Sequence, residues 1–307
     1  MKRSLVIFIL FVQIFALPAF ASAEYRDTVE KSFDVTSGGT LTITSEFGAV
    51  EIKTHSSNTV DIEIERKLKA SESKAKRILD DFDITFDKKG DDVFVNIDWN
   101  HTEKHCNVNL CQTIEVMVPE SYNLDLNTFA GGIEVSDLDG YVNAKTVGGG
   151  ISLDTISGPV DCNAVGGCVT VDNAGDDVKI ETAGGAITLS RINGAIMANA
   201  AGGKITIEKA NDYINATVAG GSIQATLARQ TDNECRLSST GGGITLNIAH
   251  DMNATIDAHT TIGCISTDLP LSVSSNIVSK RLKGELNDGG PLVHLRSTAG
   301  NIRINEM

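Results

Sequence analysis

Two histidines and two cysteines lie close together in the N-terminal half of the chain: His101, His105, Cys106 and Cys111. Imidazole nitrogen and thiolate sulfur are the ligands that zinc and copper prefer, so these four side chains are a candidate metal site. The alternative is a Cys106–Cys111 disulfide that closes a hairpin loop, with both histidines in solvent. We expect the disulfide, and no bound cofactor, because the chain has features of an exported protein and exported cysteines are usually oxidised.

The other four cysteines also suggest disulfides. Their proximity in the sequence pairs Cys162 with Cys168 and Cys235 with Cys264, although other connectivities are open. Neither pair has the Cys-x-x-Cys spacing of redox-active cysteines. We therefore predict structural links rather than reactive thiols.

We find no combination of residues that is typical of an active site. Hydrolases that act on polysaccharides need two carboxylates at a defined separation, and lyases need a base among basic or metal-binding neighbours. Neither arrangement occurs in the columns that stacked repeats would form. The repeated Gly-Gly pairs are turns, and no phosphate-binding loop is present. The sequence therefore predicts a protein that is not an enzyme.

Aliphatic residues recur at an unbroken spacing of 18 residues, at Ile133, Ile151, Val169, Ile187, Ile205 and Ile223. A Gly lies one or two positions before each of them, and a second aliphatic column, from Val142 to Ile214, lies nine residues earlier in each repeat. A fixed period of this length is typical of a solenoid. Each repeat would contain two short strands in which every second side chain points inward. We predict an all-β, single-stranded β-solenoid, similar to a β-helix, with coils of about 18 residues.

The period loosens toward the C-terminus. Ile244 and Ile265 follow at 21-residue steps, and Ile302 comes after a longer stretch. We expect one enlarged turn per coil in this part, with Ile302 closing the chain.

The same spacing occurs before the long repeat. Leu41, Ile43, Val50 and Ile52 match Leu124, Leu126, Ile133 and Val135. We therefore predict that residues 24–64 start the solenoid and include Val60, Ile62 and Ile64. Residues 65–122 interrupt it, and residues 123–307 carry the remaining coils and a closing segment.

The insertion 65–122 is predicted to be a small α+β region. Ser71 precedes a helical stripe formed by Ala75, Ile78, Leu79 and Phe82. A hairpin around Gly90 and a strand ending at Pro119 follow. Because an uncovered solenoid end invites pairing with other chains, we predict that this region is a cap.

The N-terminus predicts export. Lys2 and Arg3 precede an apolar run, and Ala21-Ser22-Ala23 is a small-residue cleavage site, so residues 1–23 are predicted to be a signal peptide. Cleavage would leave 24 basic against 40 acidic residues, a formal charge of −16, which disfavours nucleic-acid binding. No later segment is apolar enough to span a membrane. We expect a periplasmic, extracellular or cell-surface location.

Polar residues lie between the two aliphatic residues of each first strand. They are Glu134, Ser152, Thr170, Thr188, Thr206, Gln224 and Thr245. Stacked coils would align them in one column on a flat face, with Thr170, Thr188 and Thr206 at its centre. This column is a candidate surface for glycan or, more remotely, ice binding. The alternative is that threonine simply suits exposed strands.

The repeats and the C-terminal segment resemble a bacterial β-strand-repeat family of unknown function, known as the "putative adhesin" or "putative auto-transporter adhesin" family. The likeness is carried by the element Gly149-Gly150-Ile151-Ser152-Leu153 and by the ending Leu282-Lys283-Gly284-Glu285-Leu286 with Gly300-Asn301-Ile302. It covers the chain from about residue 40 onward. The resemblance implies a β-solenoid in an envelope or extracellular setting, and no catalytic residue, cofactor or substrate.

Three functions follow in order of preference. The first is a non-catalytic, adhesin-like binding module whose partner is an envelope polymer, a glycan or a protein. The second is a structural or self-assembly scaffold, and the third is a carbohydrate-active β-helix enzyme. The scarcity of aromatic residues in the coils counts against a sugar-stacking groove and therefore against the third.

Overall fold

The computed structural model describes residues 24–100, 110–273 and 280–307. The N-terminal elements are β1 (Glu24–Asp34), β2 (Thr40–Phe47), β3 (Ala49–His55), β4 (Thr59–Lys69), α1 (Glu72–Leu79), β5 (Phe82–Lys89), β6 (Asp92–Trp99) and β7 (Leu110–Pro119). The central strands are β8 (Asn123–Ala130), β9 (Ile133–Leu138), β10 (Val142–Thr146), β11 (Ile151–Ile156), β12 (Val160–Ala164), β13 (Val169–Ala174), β14 (Val178–Thr182), β15 (Ile187–Ile192), β16 (Ile196–Ala200), β17 (Ile205–Ala210), β18 (Ile214–Val218), β19 (Ile223–Leu227), β20 (Cys235–Ser239) and β21 (Ile244–Ile248). The C-terminal strands are β22 (Ala254–Ile262), β23 (Ile265–Thr267), β24 (Ser272–Val273), β25 (Arg281–Leu286), β26 (Leu292–Ala299) and β27 (Ile302–Glu306).

The strands of the described residues form two sheets. Sheet A has the order β1-β4-β7-β3-β9-β11-β13-β15-β17-β19-β21-β27-β23. Sheet B has the order β24-β25-β22-β26-β20-β18-β16-β14-β12-β10-β8-β2-β6-β5. Each regular coil contributes one strand to each sheet, so the chain alternates between the two while the coils stack.

The 18-residue period is the distance along the chain between neighbouring parallel strands. Ile151 is aligned with Ile133 on one side and with Val169 on the other, and the pattern continues along sheet A. Val142 and Val160 are aligned in the same way in sheet B. These aliphatic columns are almost completely buried and form one continuous core. The predicted all-β solenoid of two-strand coils is confirmed.

The Gly-Gly turns allow the coils to stack closely. A Cβ placed on Gly167 would lie 1.8 Å from the carbonyl oxygen of Gly149 in the preceding coil, and one on Gly185 would lie 1.8 Å from that of Gly167. No side chain fits at that distance. The glycines are therefore required by the approach of neighbouring backbones.

A column of buried hydroxyl groups supports these turns. Thr182 donates a hydrogen bond to the carbonyl oxygen of Gly167 at 3.3 Å and accepts one from the backbone N–H of Gly185 at 3.1 Å. Thr146 makes the equivalent pair of bonds with Gly131 and Gly149. Each hydroxyl thus satisfies turn groups of two successive coils, which explains why polar side chains occupy an inward column.

The N-terminal frame lies where the sequence predicts. Leu41 is aligned with Leu124, and Val50 with Ile133, in parallel strands of the two sheets. Val60, Ile62 and Ile64 belong to the common core, although their strand β4 runs antiparallel to both β7 and β1. The free edge of β3 is taken by β7, which is parallel to it, so β4 pairs one strand further out.

The insertion supplies one more parallel layer and a small subsidiary core. Strand β6 is parallel to β2, and β5 and β6 form the predicted hairpin. The predicted helix is α1, whose Ala75, Ile78 and Leu79 pack with Leu68. Ser71 is the N-cap residue, and its carbonyl oxygen accepts the N–H groups of Lys74 and Ala75, but its side chain makes no capping hydrogen bond. That the region acts as a cap stays a prediction.

The C-terminal strands do not stack in chain order. Ile244 is aligned with Ile302, and Ile302 with Ile265, so β27 lies between β21 and β23. Likewise β26 lies between β20 and β22. The last strand of the chain, which contains Ile302, is therefore not the outermost strand of sheet A. Strands β22 and β23 lie further from the regular coils than β26 and β27, which come later in the chain.

Candidate binding faces

The threonine column is a real column of sheet A. Strand pairing aligns Ser152 with Thr170, Thr170 with Thr188, and Thr188 with Thr206. Gln224 and Thr245 extend the column. These side chains are exposed or half-buried and lie on the outer face of parallel strands, where neighbours repeat about every 4.8 Å. We call this surface the threonine ladder.

Toward the N-terminal end, the same column becomes acidic. Glu134 is followed by Glu51, Glu115, Glu63 and Glu30, each on the next strand. A groove of about 430 Å³ runs along this part of sheet A. The stacking of these carboxylates is not evident from the sequence, because four of them come from β1, β3, β4 and β7, whose adjacency does not follow the 18-residue period.

A second groove, of about 470 Å³, lies on the outer face of sheet B. Tyr141 and Tyr213 lie at its two ends, and Pro159, Ala195 and Met197 line it between them. Tyr141 is exposed, and Tyr213 is partly buried against the core. The aromatic side chains of the coils are thus few, but two of them flank one groove.

Basic side chains cluster at the C-terminal end of sheet B. One row aligns Arg236, His294, Asp257 and Lys283 across β20, β26, β22 and β25. The neighbouring row aligns Ser238, Arg296, His259 and Arg281 on the same strands. We call the six basic side chains in these two rows the basic grid. No repeat spacing connects them, because they come from four segments that pair out of chain order.

Asp257 lies within the basic grid and fixes two of its members. The guanidinium of Arg296 donates to Oδ2 of Asp257 at 3.1 Å and to Oδ1 at 3.4 Å. Nε2 of His294 lies 3.3 Å from the same Oδ2. Burial raises the pKa of Asp257, but the hydrogen bonds and charge of Arg296, with the charges of His294 and Arg281, outweigh it and lower that pKa below its usual value.

The candidate metal site falls mostly outside the described residues. His101, His105 and Cys106 are not among them, and Cys111 is an exposed residue of β7. Within the part of the chain that the structure describes, no group of three or more His, Cys, Asp or Glu side chains is placed to hold a metal ion. The Cys106–Cys111 disulfide stays a prediction.

The four other cysteines are free thiols in the structure, each predicted pair having one buried and one exposed member. Burial raises the pKa of the Cys162 thiol, and burial likewise raises that of Cys235 to about 11. Cys162 lies on an inward column, whereas Cys168 is exposed beside a Gly-Gly turn, and this pair stays a prediction. Cys235 begins β20, and Cys264 lies in the turn between β22 and β23, so this pair also stays a prediction.

In the described ranges, no helix is long and apolar enough to cross a membrane. The one helix of the described residues, α1, has eight residues.

Solved structures with a similar fold are distant from this chain. A "putative lipid binding protein" from Parabacteroides distasonis gives a TM-score of 0.47 at 12% identity, covering 92% of this chain and 97% of that one. A "putative adhesin" from Bacteroides fragilis gives 0.38 at 12% identity with the same coverages, and one from Parabacteroides merdae gives 0.31 at 10%, covering 91% and 96%. These likenesses are too distant to indicate what this chain binds.

A comparison with curated proteins finds no significant relative. The model of the Toastrack DUF4097 family matches residues 39–305, which include the N-terminal frame, the insertion, all regular coils and the out-of-order C-terminal strands. This match agrees with the resemblance seen in the repeats and in the C-terminal ending. The chain therefore belongs to the Toastrack DUF4097 family.

Proposed function

We propose that the chain is an exported, non-catalytic binding module of the bacterial cell envelope. Its partner in this proposal is a repetitive envelope polymer or glycan that lies along the threonine ladder. The observation that carries the proposal is the unbroken strand register of Ser152, Thr170, Thr188 and Thr206 on a flat face. A surface whose hydrogen-bonding groups repeat at a fixed interval suits a ligand whose groups also repeat.

The chemistry of the ladder supports a polar, uncharged ligand. A hydroxyl both donates and accepts hydrogen bonds, so threonine side chains can pair with sugar hydroxyls in either direction. Their methyl groups add apolar contact between the hydroxyls. Individual contacts of this kind are weak, but several aligned contacts add up when one polymer strand engages them together.

The experiment compares retention of the purified chain on immobilised neutral polysaccharides. The test variant carries Thr170→Lys and Thr188→Lys, which place long charged side chains on the ladder. The matched control carries Asn199→Lys and Thr217→Lys on the outer face of sheet B, with the same change in net charge. We expect the ladder variant to lose at least about tenfold in affinity, equivalent to about 1.4 kcal/mol, while the control is retained like the parent.

A catalytic function is the second candidate, and one observation favours it. Glu51 and Glu115 lie on neighbouring strands beside the groove of sheet A, and adjacent strands are separated by about the carboxylate distance of retaining glycosidases. The retention assay therefore also measures newly formed reducing ends. If the parent releases reducing ends and the Glu115→Gln variant does not, the protein is an enzyme and the proposal of a non-catalytic binding module is wrong.

A further inference from the structure

The charge of the chain is unevenly distributed. Residues 24–228 contain 17 Lys and Arg against 32 Asp and Glu, whereas residues 229–307 contain 7 against 8. Four of those seven cations, Arg236, Arg281, Lys283 and Arg296, lie in the basic grid. The C-terminal end of sheet B therefore carries a cluster of cations on a strongly acidic protein.

The basic grid is extended. It crosses four neighbouring strands, which corresponds to roughly 14 Å at the usual strand spacing. Arg236, Arg281 and Lys283 are exposed, while His259, His294 and Arg296 are half-buried. The row of cations runs across the strands, in the direction in which the coils stack. An elongated ligand can therefore contact several cations at once.

Asp257 leaves the grid positive and holds part of it in place. Its carboxylate accepts hydrogen bonds from Arg296 and lies 3.3 Å from Nε2 of His294, and among the described residues it is the single acidic side chain in the two rows. A guanidinium that is already oriented loses less conformational freedom when it binds an anion. The planar guanidinium of arginine also matches the geometry of carboxylate and phosphate groups.

We propose that the basic grid binds one strand of a linear anionic polysaccharide whose carboxylate groups face Arg236, Arg281, Lys283 and Arg296. This site lies on sheet B, away from the threonine ladder, and the proposal does not rest on the ladder. It adds a second ligand, which is anionic, whereas the ligand proposed for the threonine ladder is uncharged. The second ligand would bind at the C-terminal end of the solenoid rather than along its middle.

The shape of the patch favours a single strand over a bilayer surface. An anionic membrane would also cover the exposed Glu234, two residues before Arg236, and the exposed Glu285, two residues after Lys283. These carboxylates lie within a Debye length of about 8–10 Å and would repel it. A slender polymer contacts the grid alone and avoids most of that repulsion. The same local attraction weakens as salt is added, because the interacting charges are exposed.

The experiment measures binding of the full chain to polygalacturonate, with neutral dextran as the uncharged comparison. The test variant is Arg281→Gln with Lys283→Gln, two exposed side chains of β25. The matched control is Lys145→Gln with Lys209→Gln, two exposed lysines outside both proposed sites that give the same change in net charge. Circular dichroism and thermal unfolding of each variant verify that the solenoid is intact.

We expect salt-sensitive binding to polygalacturonate and none to dextran through this site. The Arg281→Gln, Lys283→Gln variant should lose roughly tenfold or more in affinity, while the control changes by less than about twofold. Equal losses in both variants would show that net charge alone acts, and the site would be rejected. Stronger binding to vesicles with anionic lipid than to polygalacturonate would assign the grid to a membrane instead. Absence of binding to both anionic probes would also overturn the proposal.

Discussion

At the residue scale, the stacking distance of the coils depends on one glycine in each regular turn. Gly149, Gly167 and Gly185 occupy equivalent positions in successive coils, and each would place a Cβ within 1.9 Å of a backbone carbonyl oxygen. The glycine immediately before each of them is far less constrained. Two adjacent residues of the same type therefore have different roles, which the sequence does not distinguish.

Replacement of Gly185 by alanine should destabilise the protein by about 1–3 kcal/mol or more, because the backbones of two coils must separate to admit the methyl group. Gly184→Ala is the matched control, since its Cβ would lie 3.5 Å from the nearest carbonyl oxygen, an ordinary contact. Urea unfolding of the two variants measures the difference. Equal stability of Gly184→Ala and Gly185→Ala would contradict the close approach seen in the structure.

Asp257 should make the stability of the protein depend on pH. The pKa of this carboxyl is lowered in the folded state, so its stabilising effect is present above the unfolded value of about 3.8 and is lost as pH falls through the folded value. We expect Asp257→Asn to cost about 1 kcal/mol at neutral pH, a figure reduced by the partial exposure of Arg296.

The measurement is the free energy of unfolding of the parent and Asp257→Asn in urea, at neutral pH and below about pH 3.8. The gap between the two proteins should narrow on acidification. A gap that stays constant, or that widens, would show that the ion pair with Arg296 and His294 does not lower this pKa.

At the element scale, the regular coils are predictable from the sequence and the ends are not. From Ile133 to Ile223, every coil has the same neighbours, so a fixed spacing translates directly into strand register. At the ends, β7 and β27 insert between strands that come earlier in the chain. The position of such a strand depends on which sheet edge it pairs with, and the spacing of residues along the chain does not determine that pairing.

The candidate sites follow the same division. The threonine ladder was accessible to sequence reasoning because its members share one position in a repeated unit. The basic grid and the acidic end of the ladder were not, because Arg236, Asp257, Arg281 and Arg296 belong to segments without a common period. A run of alternating charged and apolar residues, such as Arg281 to Lys283, was the one local signal.

The out-of-order C-terminal layer can be tested by crosslinking. Thr245 and Arg303 are direct neighbours, so Thr245→Cys with Arg303→Cys should form a disulfide on oxidation. Thr245→Cys with Ser266→Cys should not, because β27 separates those strands and places the pair roughly 10 Å apart. Peptide mapping by mass spectrometry identifies the linked residues. Efficient formation of the second link instead of the first would show that the strands stack in chain order, with β23 directly beside β21.

At the scale of the whole molecule, the described chain is a two-sheet solenoid that presents different chemistry along its length. Sheet A carries carboxylates at the N-terminal end and hydroxyls along the regular coils, while sheet B carries cations at the C-terminal end. The core is formed almost entirely by aliphatic side chains and serves to hold these columns in register. The protein therefore separates a uniform interior from outer faces that vary in charge.

We propose that these faces bind polymers without cleaving them. The most direct measurement incubates the purified chain with a set of immobilised neutral and anionic polysaccharides and records both retention and newly formed reducing ends. We expect the chain to be retained on at least one polysaccharide, with no increase in reducing ends over a protein-free control. Release of reducing ends, or absence of retention on every polysaccharide, would contradict it.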